Sequence, residues 1–156
     1  MISDAPINPA EQLARFTTKN AQAGAIVSFS GNVRADEIDG ETTQALVLQA
    51  YEPLTAAGIT DAIKTAYARF NVDDICVRHR IGHMVPSDTI VFVACASKHR
   101  RDAFLAADFL MDYLKTEAFF WKKEITSDGA NWIEPKEIDY QDAQRWTAST
   151  QQGHIK

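Results

Sequence analysis

The chain has 156 residues, of which 46% are hydrophobic and 24% charged, and its formal net charge is -5. This length predicts one domain over residues 1–156, with a polar tail from about residue 148. No apolar run reaches the roughly 18 to 20 residues that a membrane-spanning helix needs. The acidic balance also argues against general binding to nucleic acid, which usually requires a basic face.

The first half of the sequence predicts a helix, two strands and a second helix. Asn8 and Pro9 are typical of the N-cap and first turn of a helix, which runs to about Ala23. The alternating stretch "GAIVSFSGNV" predicts a strand, in which Gly31 indicates a bulge or a close approach of the backbone. The stretch "QALVLQAY" predicts a second strand and a candidate hairpin partner for the first. Apolar side chains at helical spacing then predict a helix over residues 54–70.

The second half predicts four further strands and two helices. The stretches, in chain order, are "DDICVRHRIGHM" (strand), "VPSD" (turn), "TIVFVACAS" (central strand), a long helix, "FWKKEIT", "SDGAN" and "WIEPKE" (strand, turn, strand) and "DYQDAQRW" (short helix). This order of elements predicts an α+β fold with mostly antiparallel pairing.

Basic side chains are concentrated at the predicted start of the long helix, in "SKHRRDAF". Lys98, His99, Arg100 and Arg101 occupy this end. Aligned peptide dipoles make a helix N-terminus partly positive, so that cations there typically lose about 0.3 to 1 kcal/mol each. A bound phosphate or carboxylate would reverse the sign, because free N–H groups and cations together bind anions. The charges alone also fit a solvated, flexible turn, in which solvent screens the cations.

The stretch "MDYLKTEAFFWKKE" places three lysines around an aromatic triplet. Lys115 and Lys122 are seven residues apart, two helical turns, and border Phe119, Phe120 and Trp121. In a common pocket, partial burial would favour a neutral amine that can attack a carbonyl or transfer a proton. Alternatively, the lysine stems cover the rings and their charged ends remain in water.

Other chemistries have weaker sequence support. His79 and His83 fall in a predicted strand, about 13 Å apart, which is too far for one metal ion. Cys95 lies in an apolar run and fits a core position or a nucleophile. Arg34 follows a strand and a glycine, as either a solvated loop residue or a ligand. Free cysteines and the lack of a secretory signal at the start of the sequence predict a cytoplasmic location.

Four stretches, in chain order, resemble the large catalytic subunit of molybdopterin synthase over about residues 24–146: "GAIVSFSGNVR", "HRIGHMVPSD", "VACASKHRRDAF" and "MDYLKTEAFFWKKE". The resemblance implies an α/β hammerhead-like fold with an additional antiparallel β-sheet. It also implies a homodimer within a heterotetramer, with a small ubiquitin-like sulfur-carrier subunit at each end. The Gly-Gly thiocarboxylate of that subunit would enter a pocket of this chain. Two sulfur transfers would then convert cyclic pyranopterin monophosphate into the molybdopterin dithiolene, without a cofactor or a metal.

The resemblance assigns roles to individual residues. Lys115 matches the lysine expected to act in acyl transfer, and Lys122 matches a second active-site lysine. Further matches imply that six residues bind the substrate: Phe29, Arg34, His99, Arg100, Met111 and Lys136. For His99 and Arg100, at the helix start, action across the dimer interface is also considered. The sequence departs from the family pattern at Gln49, where glutamate is expected, and at Phe119, where proline is expected.

Two other functions remain open at this point. The first is a noncatalytic module that binds the tail of a ubiquitin-like protein in the same basic groove. The second is a hydrolase for a small phosphorylated metabolite, which would act without a protein partner. A sulfurtransferase, by contrast, requires both the thiocarboxylated partner and the cyclic precursor.

Overall fold

The computed structural model describes residues 1–35, 37–38, 41–51, 53–118 and 120–147. The helices in these ranges are α1 (Pro9–Lys19), α2 (Leu54–Arg69), α3 (Arg100–Thr116) and α4 (Glu137–Gln144). The first sheet contains, in spatial order, β1 (Ile2–Ser3), β6 (Asp74–Arg80), β8 (Thr89–Ser97) and β2 (Ala25–Asn32). The second contains β10 (Gly129–Ile133), β9 (Phe120–Thr126), β5 (Ala45–Ala50) and β7 (Gly82–Met84). A short pair is formed by β3 (Glu37–Ile38) and β4 (Glu41–Thr42).

Strand β8 lies inside the first sheet and is buried on both faces. Val93 and Cys95 face the core formed with α2 and α3, whereas Phe92 and Ala94 face α1 and contact Phe16. The alternation follows from the two-residue period of a strand. The prediction of a doubly buried central strand is therefore confirmed, and it explains why almost every residue of β8 is apolar.

The α+β class is also confirmed. Among the described strands, β1 and β6 pair in parallel and the other pairs are antiparallel. The second sheet buries Leu46 and Leu48 of β5 against Met84, with Phe120 packed beside them. Phe120 also packs against the core of the first sheet, so it links the two sheets.

Helix α1 begins where the sequence predicts it and ends earlier. The Asn8 side chain accepts a hydrogen bond from the backbone N–H of Glu11 (3.3 Å), and Pro9 is the first helical residue. The helix ends at Lys19 because the backbone of Asn20 leaves the helical conformation (φ -110°, ψ 39°), and the Asn20 side-chain amide donates to the carbonyl of Phe16 (3.0 Å). The predicted extension to Ala23 is therefore wrong.

The candidate hairpin between the first two predicted strands is wrong. Strand β2 pairs with β8, and β5 pairs with β9 and β7 in the other sheet. Both faces of β2 contribute to cores, through Val27 on one side and Ile26 on the other. Strand β2 is an edge strand of the first sheet and is only half-buried or exposed along its length, and its pairing partner is the long apolar strand β8. The bulge expected at Gly31 is confirmed, because the register shifts between Gly31 and Asn32.

The stretch "DDICVRHRIGHM" forms two strands and not one. Strand β6 ends at Arg80, and Gly82 begins β7 with a backbone φ of 85°. A positive φ is readily adopted by glycine, so the chain can turn here into the second sheet. The predicted strand "WIEPKE" is displaced as well, because β10 already begins at Gly129 and Lys136 caps α4.

No helix in the described part of the chain is both long enough and apolar enough to cross a membrane. The predicted polar tail from about residue 148 lies outside the described residues.

Candidate functional site

Helix α3 has candidate site residues at both of its ends. His99 is the N-cap, Arg100 is the first helical residue, and Lys115 lies in the last turn. The rise of 1.5 Å per residue separates Arg100 from Lys115 by about 22 Å along the helix axis. A single copy of the chain therefore forms two separate clusters of basic residues and not one recess.

The first cluster surrounds an open cleft of about 720 Å³ at the start of α3. The cleft is lined by Gly24, Lys98, His99, Arg100, Arg101, Phe104 and Leu105. The His99 side chain makes no capping bond, and its backbone N–H donates to Ser97 Oγ (3.2 Å). The exposed cations and the helix N-terminus together favour an anion, which is one of the two interpretations that the sequence leaves open.

Gly24 lets the start of β2 approach this cleft closely. A β-carbon at residue 24 would stand 2.3 Å from the carbonyl oxygen of Lys98, far inside van der Waals contact. The backbone around Lys98 therefore needs a glycine opposite it. This close packing places the strand start against the loop that leads into the basic end of α3.

The second cluster is centred on Lys115. Its Nζ lies 2.8 Å from Asp139 Oδ1, and its side chain is 58% exposed, whereas that of Asp139 is 15% exposed. Partial burial acts to raise the pKa of Asp139, but hydrogen bonds from Lys115 and from the Lys136 backbone bring that pKa below its ordinary value. Lys115 is thus an ion-paired surface lysine and not the desolvated amine considered from the sequence.

Lys136 reaches the same region as the N-cap of α4. Its backbone N–H donates to Asp139 Oδ2 (3.0 Å), and the Asp139 N–H donates to the carbonyl of Lys136 (2.9 Å). The structure therefore brings Lys115 and Lys136 together around one carboxylate. Both lysines contribute to the electrostatic lowering of the Asp139 pKa.

The opposite end of α4 is fixed to α3. Arg145 Nη2 lies 2.6 Å from Asp112 Oδ2 and 2.9 Å from Asp108 Oδ1. The indole N–H of Trp146 donates to the same oxygen of Asp112 (2.6 Å). The Trp146 ring also packs edge-on against Phe109, with ring centroids 5.5 Å apart. These contacts hold α4 along the exposed side of α3.

Met111 and Phe29 border the main core from the helix and from the sheet. Met111 lies four residues before Lys115, on the same side of α3, and packs partly buried against the core. Phe29 shares a face of β2 with Val27, a core residue, but its side chain remains 43% exposed. Both positions are compatible with the substrate-binding roles that the family resemblance implies for them.

The aromatic triplet is divided between the two faces of β9. Phe120 points inward, and Trp121, which is 61% exposed, points outward and meets Trp132 edge-on with centroids 6.0 Å apart. Lys122 is half-buried on the inner face, opposite Leu48 of β5. Phe119 lies outside the described residues. Lys122 therefore lies on a strand, and not on a continuation of α3.

Arg34 lies exposed just beyond β2. The preceding residue, Val33, is buried and its N–H donates to the carbonyl of Asp88 (2.9 Å). This bond anchors the end of β2 to the turn that precedes β8. Gln49 lies exposed in β5, opposite Trp121, on the outer face of the second sheet.

Two other candidates are structural. Cys95 is fully buried, and burial raises the pKa of its thiol to about 12, which excludes a thiolate nucleophile at neutral pH. His79 is buried in β6, whereas His83 is exposed in β7. Within the described residues, no three His, Cys, Asp or Glu side chains are arranged to hold a metal ion.

Asp139 is the site residue that the sequence motifs miss. An acid in the first turn of a short helix is typical of capping and carries no sign of a lysine located much earlier in the chain. The contact with Lys115 arises only when α4 folds back along α3.

Comparison with known proteins gives a consistent result. Residues 2–117 match the family described as "MoaE protein". The molybdopterin synthase catalytic subunit of Caulobacter vibrioides is 43% identical over 145 residues, which is 93% of this chain and 95% of the relative. The solved MoaE protein of Burkholderia ambifaria MC40-6 is 34% identical, with a TM-score of 0.78 over 95% of this chain and 97% of that one. The molybdopterin synthase structure from Staphylococcus aureus is 33% identical, with a TM-score of 0.76 over 85% of this chain and 94% of that one.

Proposed function

Because the chain belongs to the MoaE protein family, we propose that it is the catalytic subunit of a molybdopterin synthase. In this function the chain transfers sulfur from the C-terminal thiocarboxylate of a small ubiquitin-like partner to cyclic pyranopterin monophosphate. The strongest structural support is the position of Lys115, which is held beside Lys136 at the junction of α3 and α4. We also propose that residues 1–156 form one domain and that the protein acts in the cytoplasm.

The cleft at the start of α3 is the proposed binding site for the substrate phosphate. The cations Lys98, Arg100 and Arg101 lie there together with the His99 imidazole, next to the backbone N–H groups of the first helical turn. An anion at this position would offset the unfavourable interaction between those cations and the helix dipole. The phosphate is thus bound by charge and backbone geometry together.

A complete site requires two copies of the chain. The phosphate-binding end of α3 is about 22 Å from Lys115 in one copy, which exceeds the size of one small substrate. A two-fold axis that runs across α3 near its middle would pack two copies so that the start of one α3 lies near the end of the other. We therefore assign His99 and Arg100 to the site of the opposite protomer.

Lys115 is the proposed catalytic residue for the acyl-transfer step. Its ammonium group would stabilise negative charge that develops when the carbon–sulfur bond of the thiocarboxylate is broken. Lys122 would assist from β9, while Met111 and Phe29 supply an apolar wall and Arg34 a further cation. The reacting sulfur arrives on the partner, so the chain needs no thiol of its own.

Reconstitution tests the function. Purified chain, thiocarboxylated small partner and cyclic precursor should together give the dithiolene product, whereas a partner ending in an ordinary carboxylate should give none. Tight binding of the partner without product would favour the noncatalytic module. Turnover of the precursor without any partner would favour the hydrolase.

A further inference from the structure

One carboxylate at the start of α4 makes two different contacts. Asp139 Oδ2 accepts the backbone N–H of Lys136 and so caps the helix, at 3.0 Å. The other oxygen, Oδ1, accepts from Lys115 Nζ at 2.8 Å. The cap bond fixes the orientation of the carboxylate, and the remaining oxygen therefore faces Lys115 in a defined position.

The helix that presents this carboxylate is itself anchored. Arg145 and Trp146 bind Asp112 at the far end of α4, and the Trp146 ring packs against Phe70 and Phe109. Asp112 lies on α3, three residues before Lys115. Both partners of the Lys115–Asp139 pair are thus tied to the same helix.

We propose that Asp139 is a positioning residue that fixes the Lys115 ammonium group for acyl transfer, an inference that rests on the proposed function. Lys115 has a flexible four-carbon stem and is mostly exposed, so its charged end would otherwise sample many rotamers. An oriented carboxylate restricts this sampling before the substrate arrives. Such preorganisation accelerates a reaction because the catalytic group no longer has to be ordered during the chemical step.

The pair differs from an ordinary surface ion pair in its geometry. Lys64 and Asp61 form such a pair on α2, with side chains that are 73% and 67% exposed and a distance of 3.2 Å. Pairs of that kind contribute little to stability. Asp139, by contrast, is only 15% exposed and is held by a second hydrogen bond. The Asp139 carboxylate is therefore held in one orientation, so that it can define where the Lys115 ammonium group lies.

Two substitutions separate the charge of Asp139 from its capping role. Asp139→Asn keeps an oxygen that can accept the Lys136 N–H but removes the negative charge. Asp139→Glu keeps the charge, and glutamate is a common capping-box residue at this helical position. Asp61→Asn is the matched control, because it removes the acid from an exposed lysine pair remote from α4.

The first measurement does not depend on activity. Each variant is treated briefly with an acetylating reagent, and acetylation of each lysine is quantified by peptide mass spectrometry. Asp139→Asn should raise acetylation of Lys115 several-fold, because the amine is no longer held in an ion pair, and should leave Lys64 unchanged. Asp139→Glu should remain close to the unsubstituted chain.

The second measurement is turnover with the thiocarboxylated partner and the cyclic precursor. Asp139→Asn should lower kcat by about tenfold and leave KM for the partner within roughly twofold, as expected for a misplaced catalytic group. Asp139→Glu should recover most of the lost rate. Thermal unfolding of all three variants should remain close to that of the unsubstituted chain.

The outcomes are distinguishable. Unchanged Lys115 acetylation in Asp139→Asn would overturn the inference, because the pair would then not form in solution. Raised acetylation with an unchanged or higher kcat would also overturn it, since Asp139 would hold Lys115 without aiding the reaction. Failure of the unsubstituted chain to make product would overturn the proposed function and the positioning role with it, while acetylation would still report whether the contact exists.

Discussion

His79 stacks on Phe120, with ring centroids 3.9 Å apart and ring planes inclined by 16°, and this contact joins the first sheet to the second. The histidine is buried, and its Nδ1 lies 3.0 Å from the carbonyl oxygen of Arg80. Burial lowers the pKa of the His79 imidazole from 6.5 to about 4. The ring is therefore neutral between the two sheets at neutral pH.

Acid should destabilise the protein through His79. Its pKa is lower in the folded state, so the unfolded chain takes up the proton first as the pH falls. The contribution of His79 to the free energy of unfolding is fully present above the ordinary histidine pKa and decreases from there towards pH 4. Between pH 7 and pH 5 this residue alone should reduce the free energy of unfolding by about 2 kcal/mol. Urea unfolding across this pH range measures the effect.

The matched variants are His79→Phe and His83→Gln. His79→Phe keeps an aromatic ring against Phe120 and removes the titration, so it should flatten the pH dependence whatever its stability at pH 7. His83 is exposed on β7, and its replacement should leave the dependence intact. If the free energy of unfolding falls equally steeply with pH in His79→Phe and in the unsubstituted chain, groups other than His79 cause the acid sensitivity.

Replacement of Lys115 should abolish most of the activity without unfolding the chain. Loss of the ammonium removes stabilisation of charge in the acyl-transfer step, and Lys115→Ala should lower kcat by roughly 100-fold or more. Its side chain is 58% exposed, so the free energy of unfolding should change by less than about 1 kcal/mol. Steady-state kinetics and thermal unfolding measure the two quantities.

Lys123→Ala is the control for this substitution. Lys123 lies on the outer face of β9, with its Nζ 5.5 Å from the centre of the Trp132 ring, and plays no part in the proposed reaction. It should retain nearly full turnover. Near-normal product formation in Lys115→Ala would disprove the catalytic assignment of that residue.

Mixed dimers test whether the two ends of α3 meet across protomers. Lys115→Ala and Arg100→Ala homodimers should each be impaired at both sites. If Arg100 serves the site of the opposite protomer, a mixed dimer places both defects in one site and leaves the other intact. Random mixing during co-expression should then restore roughly a quarter of the normal activity. Activity no higher than that of the two homodimers would mean that both residues serve the same protomer.

Two glycines should respond to alanine in opposite directions. Gly24→Ala places a β-carbon 2.3 Å from the Lys98 carbonyl oxygen, so the backbone must shift, and the loss of stability should be about 1 to 3 kcal/mol. Gly58→Ala in α2 meets Tyr113 Oη at an ordinary 3.6 Å and should stabilise the chain by about 0.5 to 1 kcal/mol. Denaturant unfolding of both variants tests the pair, and stabilisation by Gly24→Ala would contradict the close approach at the anion cleft.

Local patterns predicted the helices and the central strand well. The spacing of apolar residues determines which face of α2 is buried, and the side chain of Asn8 caps α1 through a contact only three residues away. These features depend on neighbours in sequence. They are accessible from the chain alone because the physical interaction is short in range.

Strand pairing and the Lys115 environment were not accessible in the same way. Strand β2 pairs with β8 across a long stretch of intervening chain. The turn at Gly82 leads the chain from β6 in the first sheet to β7 in the second. The family motifs single out Lys115, but its ion pair depends on where α4 docks. That docking is decided by Trp146 and Arg145 at the other end of the helix. Non-local packing therefore determines the geometry of residues that local motifs identify.

The burial of Cys95 has a chemical consequence for a protein that handles activated sulfur. With a thiol pKa of about 12, on the order of one molecule in 100,000 is ionised at this residue at neutral pH. A persulfide or mixed disulfide at Cys95 would need that rare anion, in a position that solvent does not reach. Sulfur delivered by the partner can therefore reach its acceptor without forming an adduct at Cys95 in the core of this chain.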